Sequence, residues 1–270
     1  MPELPEVETT LRGVSAYLLK KKIKSIQVRQ PQLRWPVPAE LASAKDLSVK
    51  ALTRRGKYII ATTQSGSIII HLGMSGSLRI ADKPFELRKH DHVLFELSNN
   101  KFMLYHDPRR FGTVLWTTDQ PELHPLLCKL GPEPLSNDFS GEHLFKNSRN
   151  KKVAVKNFIM NGHIVVGVGN IYASEALFRT GIRPGKSSGR VSRTSYDQLA
   201  DNIKSVLDAA IESGGTTLRD FVNSKGEPGY FQQTLNVYGR EGLPCNKCGS
   251  LIKQKTIGQR STFYCPECQT

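Results

Sequence analysis

Lys57-Tyr58-Ile59-Ile60-Ala61-Thr62-Thr63-Gln64-Ser65-Gly66-Ser67-Ile68-Ile69-Ile70-His71-Leu72 reads as two β-strands joined by a tight turn. Both runs are rich in β-branched residues, and Ser65-Gly66 between them is a turn signal. Similar short runs lie on either side, at Ile23 to Gln30, Val49 to Thr53, His90 to Leu97, Phe102 to His106 and Thr113 to Thr117. Gly73-Met74-Ser75-Gly76, Asn99-Asn100 and Asp107-Pro108 separate them. Strands at this spacing, without helices between, predict a β-sandwich or barrel rather than a parallel sheet.

Ahead of the strands, Leu4, Val7, Leu11, Val14 and Leu18 recur every three or four residues, which predicts one buried helix face from Pro5 to about Leu19. Pro5 suits a helix start, and Glu6 and Glu8 suit the positive end of the helix dipole. Beyond Gly131-Pro132-Glu133-Pro134 and its polar continuation to Gly141, the pattern turns helical. Helices are expected over Glu142 to Ser148, Lys151 to Met160, Asn170 to Thr180, Ser192 to Ser213 and Leu218 to Asn223. A turn-rich loop follows from Ser224 to Tyr230.

The chain has 270 residues, enough for two ordinary domains, and a formal net charge of +14. A field of that sign recruits polyanions, nucleic acid foremost. No run of about 18 apolar residues offers a membrane span. The N-terminus lacks a basic-then-apolar leader, so a reducing cytoplasmic location is expected.

Four features carry chemistry. Cys245-x2-Cys248 and Cys265-x2-Cys268 supply four thiolates at spacings that close a tetrahedral Zn²⁺ site across a hairpin from Leu251 to Tyr264. Two disulfides are the alternative, which a reducing compartment disfavours. Four ligands leave no open position, so such a zinc is structural, and Arg260 sits on the span between the pairs as either a surface charge or a rigidly held group. Cys128 has no partner and is expected to be buried or half-buried. Secondly, Gly167-Val168-Gly169-Asn170 precedes a helix and suits phosphate or a plain turn, with Lys151, Lys152 and Lys156 expected on the adjoining helix. Thirdly, two turn tips carry Met74 and Arg109 with Phe111; these suit either core packing or a wedge that fills the gap left by an extruded nucleotide. Lys57, after Arg54-Arg55-Gly56, starts a strand and faces either solvent or a site. Lastly, removal of Met1 would leave Pro2 with a free secondary amine next to the Glu3 carboxylate, or else Pro2 merely begins the chain.

Taken in order, Pro2-Glu3-Leu4-Pro5-Glu6-Val7-Glu8-Thr9, His71-Leu72-Gly73-Met74-Ser75-Gly76-Ser77-Leu78-Arg79, Asp107-Pro108-Arg109-Arg110-Phe111-Gly112, Gly167-Val168-Gly169-Asn170-Ile171-Tyr172-Ala173 and the four cysteines resemble the formamidopyrimidine-DNA glycosylase family over essentially the whole chain. The resemblance implies an α+β fold: an N-terminal helix and β-sandwich over 2–131, a linker at 132–141, a helix–two-turn–helix domain over 142–233 and a four-cysteine zinc ribbon over 234–270. It implies binding of double-stranded DNA carrying oxidised purines or abasic sites in a cleft between domains; nothing in the sequence suggests an oligomer, so a monomer is the default expectation. Pro2 would attack C1′ of the flipped nucleotide and form a Schiff base, with Glu3 as acid and base. Lys57 resembles the proton donor in β-elimination and Arg260 the donor in δ-elimination. His71, His90, Arg109, Lys151, Asn170 and Tyr238 resemble DNA contacts, Met74, Arg109 and Phe111 match the wedge, and the 224–230 loop would close over the base. Three other readings compete: an endonuclease VIII-type glycosylase for oxidised pyrimidines, a non-catalytic zinc-ribbon DNA-binding protein, and an N-terminal-proline tautomerase. The Leu4 to Thr9 wording and the Met74, Arg109 and Phe111 trio weigh against the first, the terminal Pro-Glu against the second, and the ribbon and charge against the third.

Overall fold

A computed structural model describes residues 2–215 and 235–270. The described residues divide into two compact units, one built on the chain up to Lys129 with Ser213 to Gly215, the other on Leu130 to Glu212 with Leu235 to Thr270. The expected helix at Leu218 to Asn223 and the loop at Ser224 to Tyr230 lie outside the described residues.

The first unit opens with α1 (Leu4–Leu18). Its start is sealed by a capping box: the Glu6 carboxylate accepts the Glu3 backbone N–H at 2.8 Å, and the Glu3 side chain accepts the Glu6 N–H in return. Leu4, Val7, Val14 and Leu18 are almost completely buried. Each contributes about 2 kcal/mol relative to an exposed position. On the polar side Glu8 receives Arg54 at 2.9 Å and Arg12 at 2.9 Å. Burial pushes the Glu8 carboxyl up, but the hydrogen bonds and charges of Arg54 and Arg12 outweigh it, so the group lies below its ordinary range.

Two four-stranded antiparallel sheets follow. The first sheet is ordered β1 (Ile23–Val28), β6 (Asp91–Leu97), β7 (Lys101–His106) and β5 (Ser77–Asp82). The second is ordered β2 (Ala51–Arg55), β3 (Tyr58–Thr62), β4 (Ser67–His71) and β8 (Thr113–Thr117). Their inner faces share one core with α1, including Ile59, Ile68, Ile70, Val93, Phe95, Met103 and Tyr105. The architecture is therefore the sandwich alternative. Strand β5 is not among the sequence expectations, because Leu78 and Ile80 alternate over too short a run to stand out.

In the second unit α2 (Gly141–Ser148) and α4 (Asn170–Thr180) pack on the long α5 (Arg193–Glu212), while α3 (Val155–Ile159) packs on α4. Ser140 caps α2 by accepting the His143 N–H. A helix expected to start at Lys151 starts instead at Val155. The residues before it are extended: Ala154 pairs with Ser187, and the Lys151 carbonyl accepts from Gly189 N–H. Lys151 and Lys152 therefore precede α3 rather than riding on it. The chain ends in a hairpin of β9 (Lys253–Ile257) and β10 (Arg260–Tyr264). Cys128, expected to be at least half-buried, is exposed; its thiol makes only a 3.9 Å approach to the Pro125 carbonyl.

The β4–β5 and β7–β8 turns meet backbone to backbone. Gly73 has φ +63°, and a Cβ there would lie 2.4 Å from the Gly112 nitrogen. A Cβ on Gly112 would lie 1.8 Å from the Tyr105 hydroxyl and 2.4 Å from the His71 carbonyl. Gly73→Ala combines left-handed strain with a backbone clash, and is expected to destabilise the first unit by about 3 kcal/mol or more. A lower urea midpoint with unchanged slope checks this.

Candidate functional site

Pro2 and Glu3 are both buried at the start of α1. The peptide that follows Pro2 is pinned by the Glu6 carboxylate on the Glu3 N–H. Lys57 lies at the turn between β2 and β3, and His71 at the end of β4 opposite Tyr58, so β-sheet register brings Lys57 near His71. The Tyr58 and His71 rings are 4.6 Å apart, and His71 Nδ1 accepts the Gly73 N–H at 2.9 Å. Burial, with the positive charges of Lys57 and Arg34 added, lowers the His71 pKa to about 4. His71 is thus a neutral ring at pH 7.

Met74 stands on the β4–β5 turn, with Arg109 and Phe111 on the β7–β8 turn. The Arg109 guanidinium lies 4.9 Å from the centre of the Phe111 ring, and Phe111 is 45% exposed. A side chain of that size and exposure is not core. His90 precedes β6, its ring 5.9 Å from His92 and 6.0 Å from His106. It borders a pocket of about 370 Å³ lined also by Arg29, Lys89 and Arg110.

In the second unit Lys151 borders a shallow depression with Lys152 and Arg190. Asn170 occupies the first position of α4, and its side-chain amide donates to the Ser261 carbonyl at 3.0 Å. Lys156, expected to seek phosphate, is fully buried. Its ammonium donates to Thr262 Oγ1 at 2.7 Å and to the Ser261 carbonyl at 3.2 Å. Sequence reasoning groups it with Lys151 and Lys152 on one basic helix, whereas the helix turns it inward beneath the strand that starts with Arg260. Arg260 itself is exposed. Tyr238 packs edge-on to Phe263 at 5.0 Å.

One positioning group escaped sequence reasoning. Glu175, buried on α4, accepts the backbone N–H groups of Asn236, Val237 and Tyr238, each at 2.9 Å, and the Asn236 side chain at 3.1 Å. A glutamate in the middle of an apolar helix was the available signal, since an acid there needs donors from elsewhere.

The four cysteine sulfurs lie within 4.8 Å of one another. Cys248 to Cys265 is 3.5 Å and Cys245 to Cys268 is 3.9 Å. A tetrahedron with metal–sulfur bonds of about 2.3 Å has edges of roughly 3.8 Å, so the donor set fits a tetrahedral ion. No helix among the described residues is long and apolar enough to cross a membrane.

A helix-and-sandwich unit with basic turn tips, carried on one strongly basic chain with a helical unit and a four-cysteine hairpin, defines a nucleic-acid-handling protein. Family comparison narrows the class. Residues 1–114 match the formamidopyrimidine-DNA glycosylase N-terminal domain, 130–222 the H2TH domain of the same family, and 242–270 the zinc finger found in FPG and IleRS. The formamidopyrimidine-DNA glycosylase of Alcanivorax borkumensis is 55% identical over 270 residues, covering all of both chains, and that of Methylococcus capsulatus is 53% identical over 272 residues with the same coverage. Among solved structures, the MutM (FPG) protein of Thermus thermophilus superposes with TM-score 0.90 at 34% identity, covering 99% of this chain and 98% of that one. A Lactococcus lactis FPG mutant in complex with Fapy-dG DNA gives TM-score 0.92 at 32% identity, with full coverage of both. The chain belongs to the formamidopyrimidine-DNA glycosylase family.

The His71 shift sets a pH dependence. Its folded pKa lies below the ordinary 6.5. The unfolded chain therefore takes up the proton first, and stability that is complete above pH 6.5 is lost as pH falls towards 4. The loss is on the order of 3 kcal/mol. His71→Gln is expected to flatten that segment of the stability–pH curve, measured by urea unfolding between pH 7 and 4.

Proposed function

We propose that this chain repairs DNA by excising oxidised purines through its N-terminal proline. It is a bifunctional enzyme, a DNA glycosylase for 8-oxoguanine and formamidopyrimidines and a lyase at abasic sites. The observation that carries the residue-level reading is the capped helix start, which holds the Pro2–Glu3 peptide in one orientation. Complexes of family members with Fapy-dG DNA, abasic-site DNA and carbocyclic 8-oxo-G DNA support the substrate class.

Once Met1 is removed, the Pro2 nitrogen offers its lone pair to C1′ of a nucleotide turned out of the stack. The N–C1′ bond forms as the bond to the purine breaks, and the base leaves with the electron pair and a proton. Opening of the sugar gives an iminium, with Glu3 supplying the proton to the ring oxygen. The iminium acidifies the C2′ hydrogens; the Glu3 carboxylate, left ionised by ring opening, takes one, the freed electron pair expels the 3′-phosphate by β-elimination, and Lys57 donates a proton to the departing phosphate. A second elimination expels the 5′-phosphate, with Arg260 as donor. Both cations stabilise the negative charge that develops on the departing phosphates.

Met74, Arg109 and Phe111 occupy the gap left in the duplex, Arg109 hydrogen-bonding the orphaned base. His71, His90, Lys151, Asn170 and Tyr238 hold the DNA, His71 as a neutral hydrogen-bonding group. Cys245, Cys248, Cys265 and Cys268 hold one Zn²⁺, which stiffens the hairpin that carries Arg260. In this reading residues 2–131 are the catalytic domain, 132–141 a linker, 142–233 the helix–two-turn–helix domain and 234–270 the ribbon. The protein acts as a cytoplasmic monomer.

Borohydride is expected to trap a covalent adduct between the processed protein and a duplex with 8-oxoguanine or an abasic site. Pro2→Gly should trap far less, and a form retaining Met1, verified by intact mass, should not trap at all. Normal trapping with Met1 in place would exclude Pro2 as nucleophile. Arg260→Ala should leave β-elimination detectable while lowering the share of δ product on a sequencing gel; an unchanged product ratio would reduce Arg260 to a phosphate contact.

A further inference from the structure

Asp107 follows β7 and is completely buried, yet among the described residues no cation pairs with its carboxylate. Its donors come from the two turn regions instead. Oδ1 accepts the Ser75 hydroxyl at 2.8 Å, and Oδ2 accepts the Gly112 N–H at 2.8 Å. The Tyr105 hydroxyl, 3.3 Å from Oδ2, is shared with the His71 carbonyl at 3.1 Å. Ser75 Oγ in turn accepts the Arg109 N–H at 3.3 Å. The Asp107 carbonyl is engaged as well, by His92 Nε2 at 2.8 Å and by the Arg110 N–H at 3.2 Å.

Ser75 is the residue after Met74, and Gly112 the residue after Phe111. The carboxylate thus bonds both turns one residue away from the half-buried Met74 and the exposed Phe111, where Gly73 and Gly112 already leave no room between the backbones. An ionised carboxylate is an acceptor at every lone pair and suits three donors. Burial and the Asp107 charge together raise the Tyr105 hydroxyl well above its usual pKa, so it stays a donor to this group.

We propose that Asp107, acting through Ser75, is the positioning residue that holds Met74, Arg109 and Phe111 in one fixed arrangement and so sets discrimination of the base opposite the lesion. The proposal rests on the reading of these three side chains as the wedge. In Asp107→Asn one acceptor oxygen becomes an NH₂ group, which faces a Gly112 N–H or a Ser75 hydroxyl that needs an acceptor. Ser75→Ala removes the link between the turns without adding a donor, and Ser75→Thr keeps the hydroxyl.

The test measures excision of 8-oxoguanine opposite dC and opposite dA in duplex DNA, and strand cleavage at an abasic site in single-stranded DNA, where no gap has to be filled. Asp107→Asn is expected to lower the dC-to-dA excision ratio about tenfold, and Ser75→Ala several-fold, because charge-assisted bonds are lost. Single-strand cleavage should stay near the parent level, and Ser75→Thr should restore the ratio. General destabilisation would instead lower all rates together and leave the ratio intact. Should Asp107→Asn fail to fold, the Ser75→Ala and Ser75→Thr pair decides alone. Phe111→Ala separates the two ideas. If it lowers duplex excision relative to single-strand cleavage while Asp107→Asn and Ser75→Ala keep the parent dC-to-dA ratio, the positioning role is overturned and the wedge stands. If Phe111→Ala leaves the duplex-to-single-strand ratio unchanged, the wedge reading falls and the proposal with it.

Discussion

The contact on which the first unit's surface chemistry depends is the approach of two backbones at Gly73 and Gly112. Sheet order places β4 beside β8 and β5 beside β7, so the turns after β4 and β7 both cross from one sheet to the other. They cross at the same place. With no side chain between them, hydrogen bonds can run from one turn into the other, and the exposed groups on the turns inherit the rigidity of both sheets. Loops rarely carry large exposed side chains in a fixed position; this pair does so because a buried acid bonds them from below.

The second unit solves a similar problem with different groups. A hairpin of five-residue strands is marginal in water by itself. Here its inner side packs Phe263, Ile252 and Cys265 against Phe178 and Val237. Lys156 and Asn170 both reach the Ser261 carbonyl, and Glu175 gathers the segment that leads into the hairpin. A buried ammonium is costly unless its protons are taken up, and the neighbours of Arg260 supply acceptors. Removing that ammonium would take the donor from Thr262 Oγ1 and leave Asn170 alone on the Ser261 carbonyl, so the strand beginning at Arg260 is located by groups on α3 and α4 as well as by the cysteine cluster.

Much of this was legible locally. The α1 periodicity, its acidic start, the strand runs and the Cys-x2-Cys spacings are short-range patterns whose geometry follows from a few neighbouring residues. Burial is different, because it depends on what packs above. Lys156 looked like a third member of a basic helix, but the helix begins later and its inward face lies under β10. The Ser75–Asp107 bond spans 32 residues, and Asp107-Pro108 looks like an ordinary turn word. Glu175 likewise meets donors some sixty residues away. In each case the sequence carries the polar group, while only the fold supplies its partner.

The capping box at Glu3 and Glu6 has a consequence for mobility. It closes within four residues, and Leu4 and Val7 behind it are anchored in the core. The peptide that follows Pro2 is therefore oriented by a local loop of hydrogen bonds rather than by any long-range docking. Because its closing bonds join residues only three apart, the helix start needs no distant segment of the chain to complete its cap.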